Sequence, residues 1–563
     1  MKAILLLISL SISLSSYSQF SNAINIPDTL SGTSINLTVK DSTKEFITGK
    51  VTNTFSINES DYMGPTLMLN KGDEVSFNIT NTIVGETITI HWHGFHIPAK
   101  WDGGPMNTIA PQGTWEPTFE IMEHATMMWY HSHAHGRTLF QVNKGIAGMI
   151  IIRDTIEAKL DLPRTYGIDD FPLIIQDKAF HNASGQIEPD LLGNVMLVNG
   201  TIEPFVELPA QVVRLRLINT SVERVFNIGF SDNRSFYQIG TDGGLLEAPV
   251  SLNRVSLAPG ERAQILLDLT QETAGNTLNM ASYSTEFNGQ VAGSCTNGPG
   301  CGTGPLDATD FDFMEIRVVA QNGNPVTTIP QTLVDIDFIP LTGVDTTRVK
   351  QILGPSAPGQ PFTIDGGSFD MNVINDIIPL GNREIWRFEN LSKIAHPMHI
   401  HDVQFNIISR DGVAPAANEN GWKDVVLVYP NETVEFVAEF LDFTDSMYTY
   451  MMHCHSLGHE DNGMMEQFIV VDTASVATGV AETDFKNFNV YPVPVENNLM
   501  IESDEITGDI DLVISNSLGQ VLMNLKDYQI KQAIDVSSLT HGIYFLTIKV
   551  RNQSLNTVKF LKK

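Results

Sequence analysis

The sequence predicts an all-β chain of three consecutive β-sandwiches followed by a small C-terminal β-sandwich. Runs rich in Val, Ile, Thr and Phe alternate with polar residues and are broken by Gly, Asn, Asp and Pro, the pattern of strands and turns. One alternating strand that ends in Asn recurs three times. It reads Glu74-Val75-Ser76-Phe77-Asn78-Ile79-Thr80-Asn81, then Val212-Val213-Arg214-Leu215-Arg216-Leu217-Ile218-Asn219, then Glu384-Ile385-Trp386-Arg387-Phe388-Glu389-Asn390. At 563 residues the chain is too long for one core. Serial repetition of one motif favours an array of one fold.

The elements follow in order. Lys2, the apolar run 3–14 and Ser16-Tyr17-Ser18 before Gln19 form an export signal over residues 1–18. That run is too short and too serine-rich to span a bilayer, and no other charge-free apolar stretch is long enough. The three sandwiches are assigned to residues 19–158, 159–325 and 326–472. Small residues fill a linker at 473–485. Residues 486–563 resume strand patterns, as in Asp511-Leu512-Val513-Ile514, with nothing chemically reactive among them.

Composition narrows the function. With 65 Asp+Glu against 34 Lys+Arg the formal charge is −31, which repels phosphate backbones and argues against nucleic-acid binding. A mean hydropathy of −0.02 describes a soluble globular exterior. Of three cysteines, Cys295 and Cys301 are expected to pair in an oxidising compartment and close a glycine-rich loop; a metal site there is the alternative. Cys454 stays unpaired, which suits a thiolate ligand.

Four segments carry the chemistry: His91-Trp92-His93-Gly94, His131-Ser132-His133, His396-Pro397-Met398-His399-Ile400-His401 and His453-Cys454-His455, the last followed by His459 and Met464. A strand alternates its side chains, so His-x-His presents both rings on one face. In His453-Cys454-His455 the cysteine points the other way, and one strand can serve two metal centres. His399 and His401 share a face, whereas His396 lies an odd number of residues from both and faces the Cys454 side. Cys454, His396 and His459 then form a two-imidazole, one-thiolate set with Met464 as a weak axial thioether. That set fits a blue-copper electron-transfer site better than zinc. The remaining eight imidazoles exceed the needs of one metal and imply a cluster of several ions between the first and third sandwiches. The second repeat continues as Thr220-Ser221-Val222-Glu223-Arg224, without a histidine, so the metals belong to the first and third. His96, His124, His135, His181 and His541 are read as ordinary polar residues, with a supporting role beside the ligands as the alternative for His135.

These segments closely resemble the four copper-binding signatures of the multicopper oxidases, the family of laccases, bilirubin oxidases and bacterial cuprous oxidases. The resemblance spans residues 45–472. In His133-Ala134-His135-Gly136-Arg137 and Thr241-Asp242-Gly243-Gly244-Leu245-Leu246 it is similar to the bacterial copper-efflux branch. It implies three cupredoxin-like Greek-key sandwiches and four copper ions. By position, type 1 copper falls to His396, Cys454, His459 and Met464, and type 2 copper to His91 and His399. The two type 3 coppers fall to His93, His131, His133, His401, His453 and His455. Asp102 and Glu460 match proton-relay acids of those relatives, and the Cys454 backbone is the electron path to His453 and His455. Tyr491-Pro492-Val493-Pro494, Leu518-Gly519-Gln520-Val521 and the strand from Gly542-Ile543-Tyr544-Phe545 to the C-terminus resemble a type IX secretion sorting domain. This implies transit through the periplasm to the cell surface or medium, with the secretion machinery as partner.

The resemblance implies an enzyme that couples one-electron oxidation of a small reducing substrate to reduction of dioxygen to water. An axial Met464 goes with a modest potential and with electron-rich phenols as donors. The chain lacks the dense methionine insert of cuprous oxidases, and Met447, Met451 and Met452 read as core. A laccase-like activity is therefore expected, with a cuprous, ferrous or manganous oxidase as alternative. A non-enzymatic copper-binding scaffold of the cell envelope is a further alternative; a copper nitrite reductase does not need four His-x-His segments.

Overall fold

The computed structural model describes residues 20–296, 301–357, 359–472, 488–492, 495–503, 510–516, 521–550 and 553–563. The export signal, the 473–485 linker, Val493-Pro494 and Leu518-Gly519-Gln520 fall outside them. Two compact units divide the chain, residues 1–471 and 472–563. Among the described residues no helix is long and apolar enough to cross a membrane.

The larger unit is three cupredoxin-like sandwiches in series. In the first, the sheet that carries histidines runs Thr29–Ser31, Thr66–Asn70, Ala147–Arg153, Thr126–His131, His91–His93. In the third, the corresponding sheet runs Asp376–Pro379, Met465–Val471, Tyr450–Cys454, His396–Ile400, Val425–Val428. The first begins with two parallel pairs and the third with one, and in both antiparallel neighbours then lead to a histidine strand. Each sheet closes over a second one. The inward positions form the core, with Phe77, Ile79, Trp92 and Tyr130 in the first sandwich and Trp386, Phe436, Met452 and Phe468 in the third. The middle sandwich packs a six-stranded against a seven-stranded sheet around Leu215, Leu217, Phe226 and Ile265. The smaller unit has its own core of Leu499, Leu512, Leu546 and Phe560.

The recurring Asn has a structural reason. Asn81 Nδ2 donates to the carbonyls of Glu86 (2.8 Å) and Ile109 (2.9 Å), and its Oδ1 accepts from the Ile83 amide (3.0 Å). Asn219 makes the same three bonds with Arg224, Leu257 and Ser221, and Asn390 with Ile394, Val428 and Ser392. All three are fully buried. Each side chain closes the turn after its strand and fastens it to a later strand of the same sandwich, which sets where the next segment begins. Asn219→Ala removes the side-chain partner of two carbonyls and one amide in a dry interior, so a loss of about 2–4 kcal/mol is expected, read as a lowered denaturation midpoint.

One expectation is corrected. Met451 and Met452 are buried, but Met447 is 75% exposed. It sits in a turn whose amide is held by Asp445 Oδ1 (2.7 Å), ahead of the strand Tyr450–Cys454, so the inward alternation does not reach it.

Candidate metal centres

Strand pairing brings the histidine segments together. His91 lies opposite His131 in one sheet, and His399 opposite His453 in another. Across the two sandwiches, the His93 and His399 rings stack at 3.8 Å and the His91 and His401 rings at 4.0 Å. The first and third repeats therefore meet face to face, and eight imidazoles line one buried cavity.

Contacts among the eight overlap, and His91 lies within ligand distance both of His399 and His401 and of His93 and His131. His133, His401 and His453 converge through Nε2, at 3.2 Å for His133 to His453 and 3.3 Å for His401 to His453. His93 Nδ1 faces His131 Nε2 at 3.4 Å, with the His455 ring 4.9 Å from that of His93 and 5.4 Å from that of His131. His91 and His399 each donate Nδ1–H to a backbone carbonyl, of Asp102 and Asp424, both at 2.8 Å. Their Nε2 atoms, and both ring nitrogens of His455, are buried without a hydrogen-bond partner. A buried imidazole nitrogen left unpaired is costly unless something else occupies it.

Parity sends Cys454 the other way. Its Sγ lies 3.5 Å from His396 Nδ1 and 3.5 Å from His459 Nδ1. His459 and Glu460 ride on the short helix Leu457–Asp461, which alternation does not foresee. The loop returns so that the Cys454 amide donates to the Met464 carbonyl (3.1 Å) and the Met464 amide to the His459 carbonyl (2.9 Å). Met464 is fully buried in the core that holds Cys454. The other ring nitrogens are anchored: His396 Nε2 meets Ser392 Oγ at 2.9 Å, and His459 Nε2 lies 3.4 Å from Glu223 Oε1.

The two acids flank the cavity. Asp102 Oδ2 accepts from His401 Nδ1 at 2.7 Å. Glu460 spans the back of two rings, Oε1 3.3 Å from His133 Nδ1 and Oε2 3.3 Å from His453 Nδ1, with the Thr138 hydroxyl donating to Oε1 (2.6 Å).

Protonation suits metal binding. Burial pulls the His131, His133 and His459 rings down to about 3, 4 and 4, so they are neutral and offer lone pairs at neutral pH. Burial also pushes the Cys454 thiol up, so a thiolate there needs a bound cation. Neutral imidazoles and one soft sulfur are donors that favour copper.

Models of the multicopper oxidase family match residues 38–157, 182–299 and 342–474, and a secretion system C-terminal sorting domain matches 489–563. The multicopper oxidase Mco of Staphylococcus aureus is 33% identical over 436 residues, 76% of this chain and 86% of its own. The chain belongs to the multicopper oxidase family. A bacterial laccase-like multicopper oxidase, CueO of the lignin-degrading Ochrobactrum sp., described with oxidase activity towards lignin model compounds and lignosulfonate, is similar in structure. Its TM-score is 0.70 at 31% identity, over 80% of this chain and 100% of its own. The cell division protein FtsP of Photorhabdus laumondii is 31% identical over 420 residues, 73% of this chain and 84% of its own.

Membership implies bound copper, and the orphaned ring nitrogens and the buried thiol fit it. Sequence reasoning missed Glu223, Asp424 and Arg262. Glu223 had one signal: it stands in Thr220-Ser221-Val222-Glu223-Arg224, where the other repeats carry histidines. Cys295 and Cys301 form the expected disulfide. His135 is exposed, its ring 5.1 Å from that of Phe369. His96 is bound to Asp402 Oδ1 at 2.8 Å.

Proposed function

We propose that this multicopper oxidase takes single electrons from small phenols beside His459 and reduces dioxygen to water in the eight-imidazole cavity. The observation that carries this reading is the gathering of nine imidazoles and one thiol into buried clusters, with the His455 ring beside those of His93 and His131 and the two regions joined by His453-Cys454-His455. On this reading type 1 copper belongs to His396, Cys454, His459 and Met464, and type 2 to His91 and His399. One type 3 ion belongs to His133, His401 and His453, the other to His93, His131 and His455. Copper, when bound, supplies the one-electron redox steps and the dioxygen chemistry. Four phenols give four electrons and four protons, and one dioxygen takes both to become two waters.

The chain's own groups do the rest. The peptide links of Cys454 lead directly to His453 and His455. Asp102 stands behind His401 and Glu460 behind His133 and His453, and these two acids are assigned to proton delivery. The buried cavity excludes bulk water. A pocket of about 410 Å³, lined by Asp190, Leu191, Leu192, Asn194, Glu223 and Thr303 among others, adjoins His459 through Glu223. Burial, with Asp177 nearby, raises the Glu223 carboxyl to about 7, a value suited to accepting a phenolic proton. Phenol oxidation should therefore rise with pH through about 7. Glu223→Gln should flatten that profile and lower kcat/KM for phenols about 10²-fold.

Asp190 and Glu223 in the same pocket favour a second reading, oxidation of a metal ion held by carboxylate oxygens. Steady-state rates with a phenol, Cu(I), Fe(II) and Mn(II) on copper-loaded protein, followed by oxygen uptake, separate the two. No uptake with any donor would leave a non-catalytic role, and the FtsP relative, a cell division protein, suggests cell division as one. The sorting-domain match supports export to the cell surface or medium through the secretion machinery.

A further inference from the structure

The middle sandwich holds no ligand, yet it touches the eight-imidazole cavity at two points. At its turn 258–261, Gly260 has φ +85°, and a Cβ there would lie 3.1 Å from the His455 ring. Two residues on, the fully buried Arg262 spends its whole fork on three sandwiches. Nε donates to the Met127 carbonyl of the first (3.2 Å). Nη1 and Nη2 donate to the Gly260 and Asp242 carbonyls of the second (3.1 and 3.0 Å). The same two nitrogens grip Asp424 of the third at Oδ1 (2.5 Å) and Oδ2 (2.6 Å).

Asp424 passes this grip to two cavity imidazoles. Its Oδ1 accepts from His93 Nε2 at 3.1 Å and its carbonyl from His399 Nδ1 at 2.8 Å. His91, His131, His133, His399, His401 and His453 all bind a protein acceptor, or lie beside one, through Nδ1, which leaves Nε2 for the cavity. His93 is reversed: Nε2–H is held by Asp424 and Nδ1 faces His131. A ring flip of His93 would exchange the two nitrogens. What opposes the flip is an acceptor fixed in place, and a bidentate guanidinium fixes a carboxylate better than any other side chain. Gly94, next in the chain, also has to be glycine: a Cβ would come within 2.6 Å of Asp424 Oδ2 and 2.9 Å of Arg262 Nη2.

We infer that Arg262 is a positioning residue of the middle sandwich that, through Asp424, selects Nδ1 of His93 as the nitrogen facing the cavity and orients His399 beside it. The inference rests on the copper assignment proposed above. It gives the ligand-free repeat a direct part in the oxygen-reducing centre, separate from the contact that Glu223 makes with His459 of the Cys454 centre.

The test compares parent, Arg262→Lys and the double variant Arg262→Met/Asp424→Asn, all copper-loaded. Lysine keeps the charge and loses the fork; the double variant leaves no buried charge unpaired, so it guards against simple misfolding. The readouts are the visible thiolate–copper absorbance, total copper after dialysis against a chelator, and the electron paramagnetic resonance signal of the non-blue copper. In both variants the blue band should be retained, with cavity copper held about 10- to 100-fold more weakly and the non-blue resonance altered. Lysine should show the smaller change. Blue and cavity copper falling together, or neither changing, overturns the inference. A parent that binds no cavity copper would instead refute the assignment beneath it.

Discussion

Replacing Cys454 with Ser should abolish the visible blue absorbance and donor oxidation together. The Sγ atom sits between two ring nitrogens at 3.5 Å each in a site closed to water. A serine hydroxyl does not ionise there and is a hard oxygen where the site offers soft sulfur. The same substitution also alters the one residue that lies between His453 and His455. The cavity ligands stay in place, so copper content should fall by a single ion while oxygen uptake driven by a phenol falls to background. Absorbance, metal analysis and an oxygen electrode measure the three quantities. A blue, active Cys454→Ser protein would remove the basis for both centres as assigned.

The second large effect should come from Asp102→Asn. Burial, with Asp402 nearby, pushes the Asp102 carboxyl well above the usual range, so it retains a proton in the range where most carboxylates have lost theirs. Its Oδ2 accepts from His401 Nδ1, and its buried Oδ1 makes no hydrogen bond, lying 3.5 Å from His91 Nδ1. Asparagine keeps an acceptor for His401 and cannot cycle a proton. Turnover should fall about 10²- to 10³-fold, whereas anaerobic bleaching of the blue band by a phenol, followed by stopped flow, should stay fast. In the parent, oxygen reduction that depends on this proton should weaken as pH rises through the carboxyl's elevated pKa. Normal reoxidation in Asp102→Asn would show that the acid only orients His401.

Most of the clustering of histidines and Cys454 was legible because these residues sit on or beside strands. Alternation alone separated His396 from His399 and His401, and Cys454 from His453 and His455, and the side chains lie where that parity put them. The threefold sandwich was legible from its Asn-ended strand. What stayed hidden are contacts with no local period. Arg262 and Asp424 are 162 positions apart, and Asp424 and His93 are 331 apart. Neither acid nor base stands out in a chain with 65 acidic residues. Glu223 reaches His459 only because the middle sandwich leans its post-strand turn against the third. Met447 was misread for the opposite reason: a period was extended past the end of its strand into a turn.

The asparagine fastenings imply an order of events during biogenesis. Each one ties only residues within 28 or 38 positions of the asparagine, so a sandwich can be clasped as soon as that much chain has left the ribosome or the export channel. The eight-imidazole cavity lacks that freedom, because it waits for residues that lie more than three hundred positions after His93. The eight imidazoles therefore cannot come together before the last sandwich has been made.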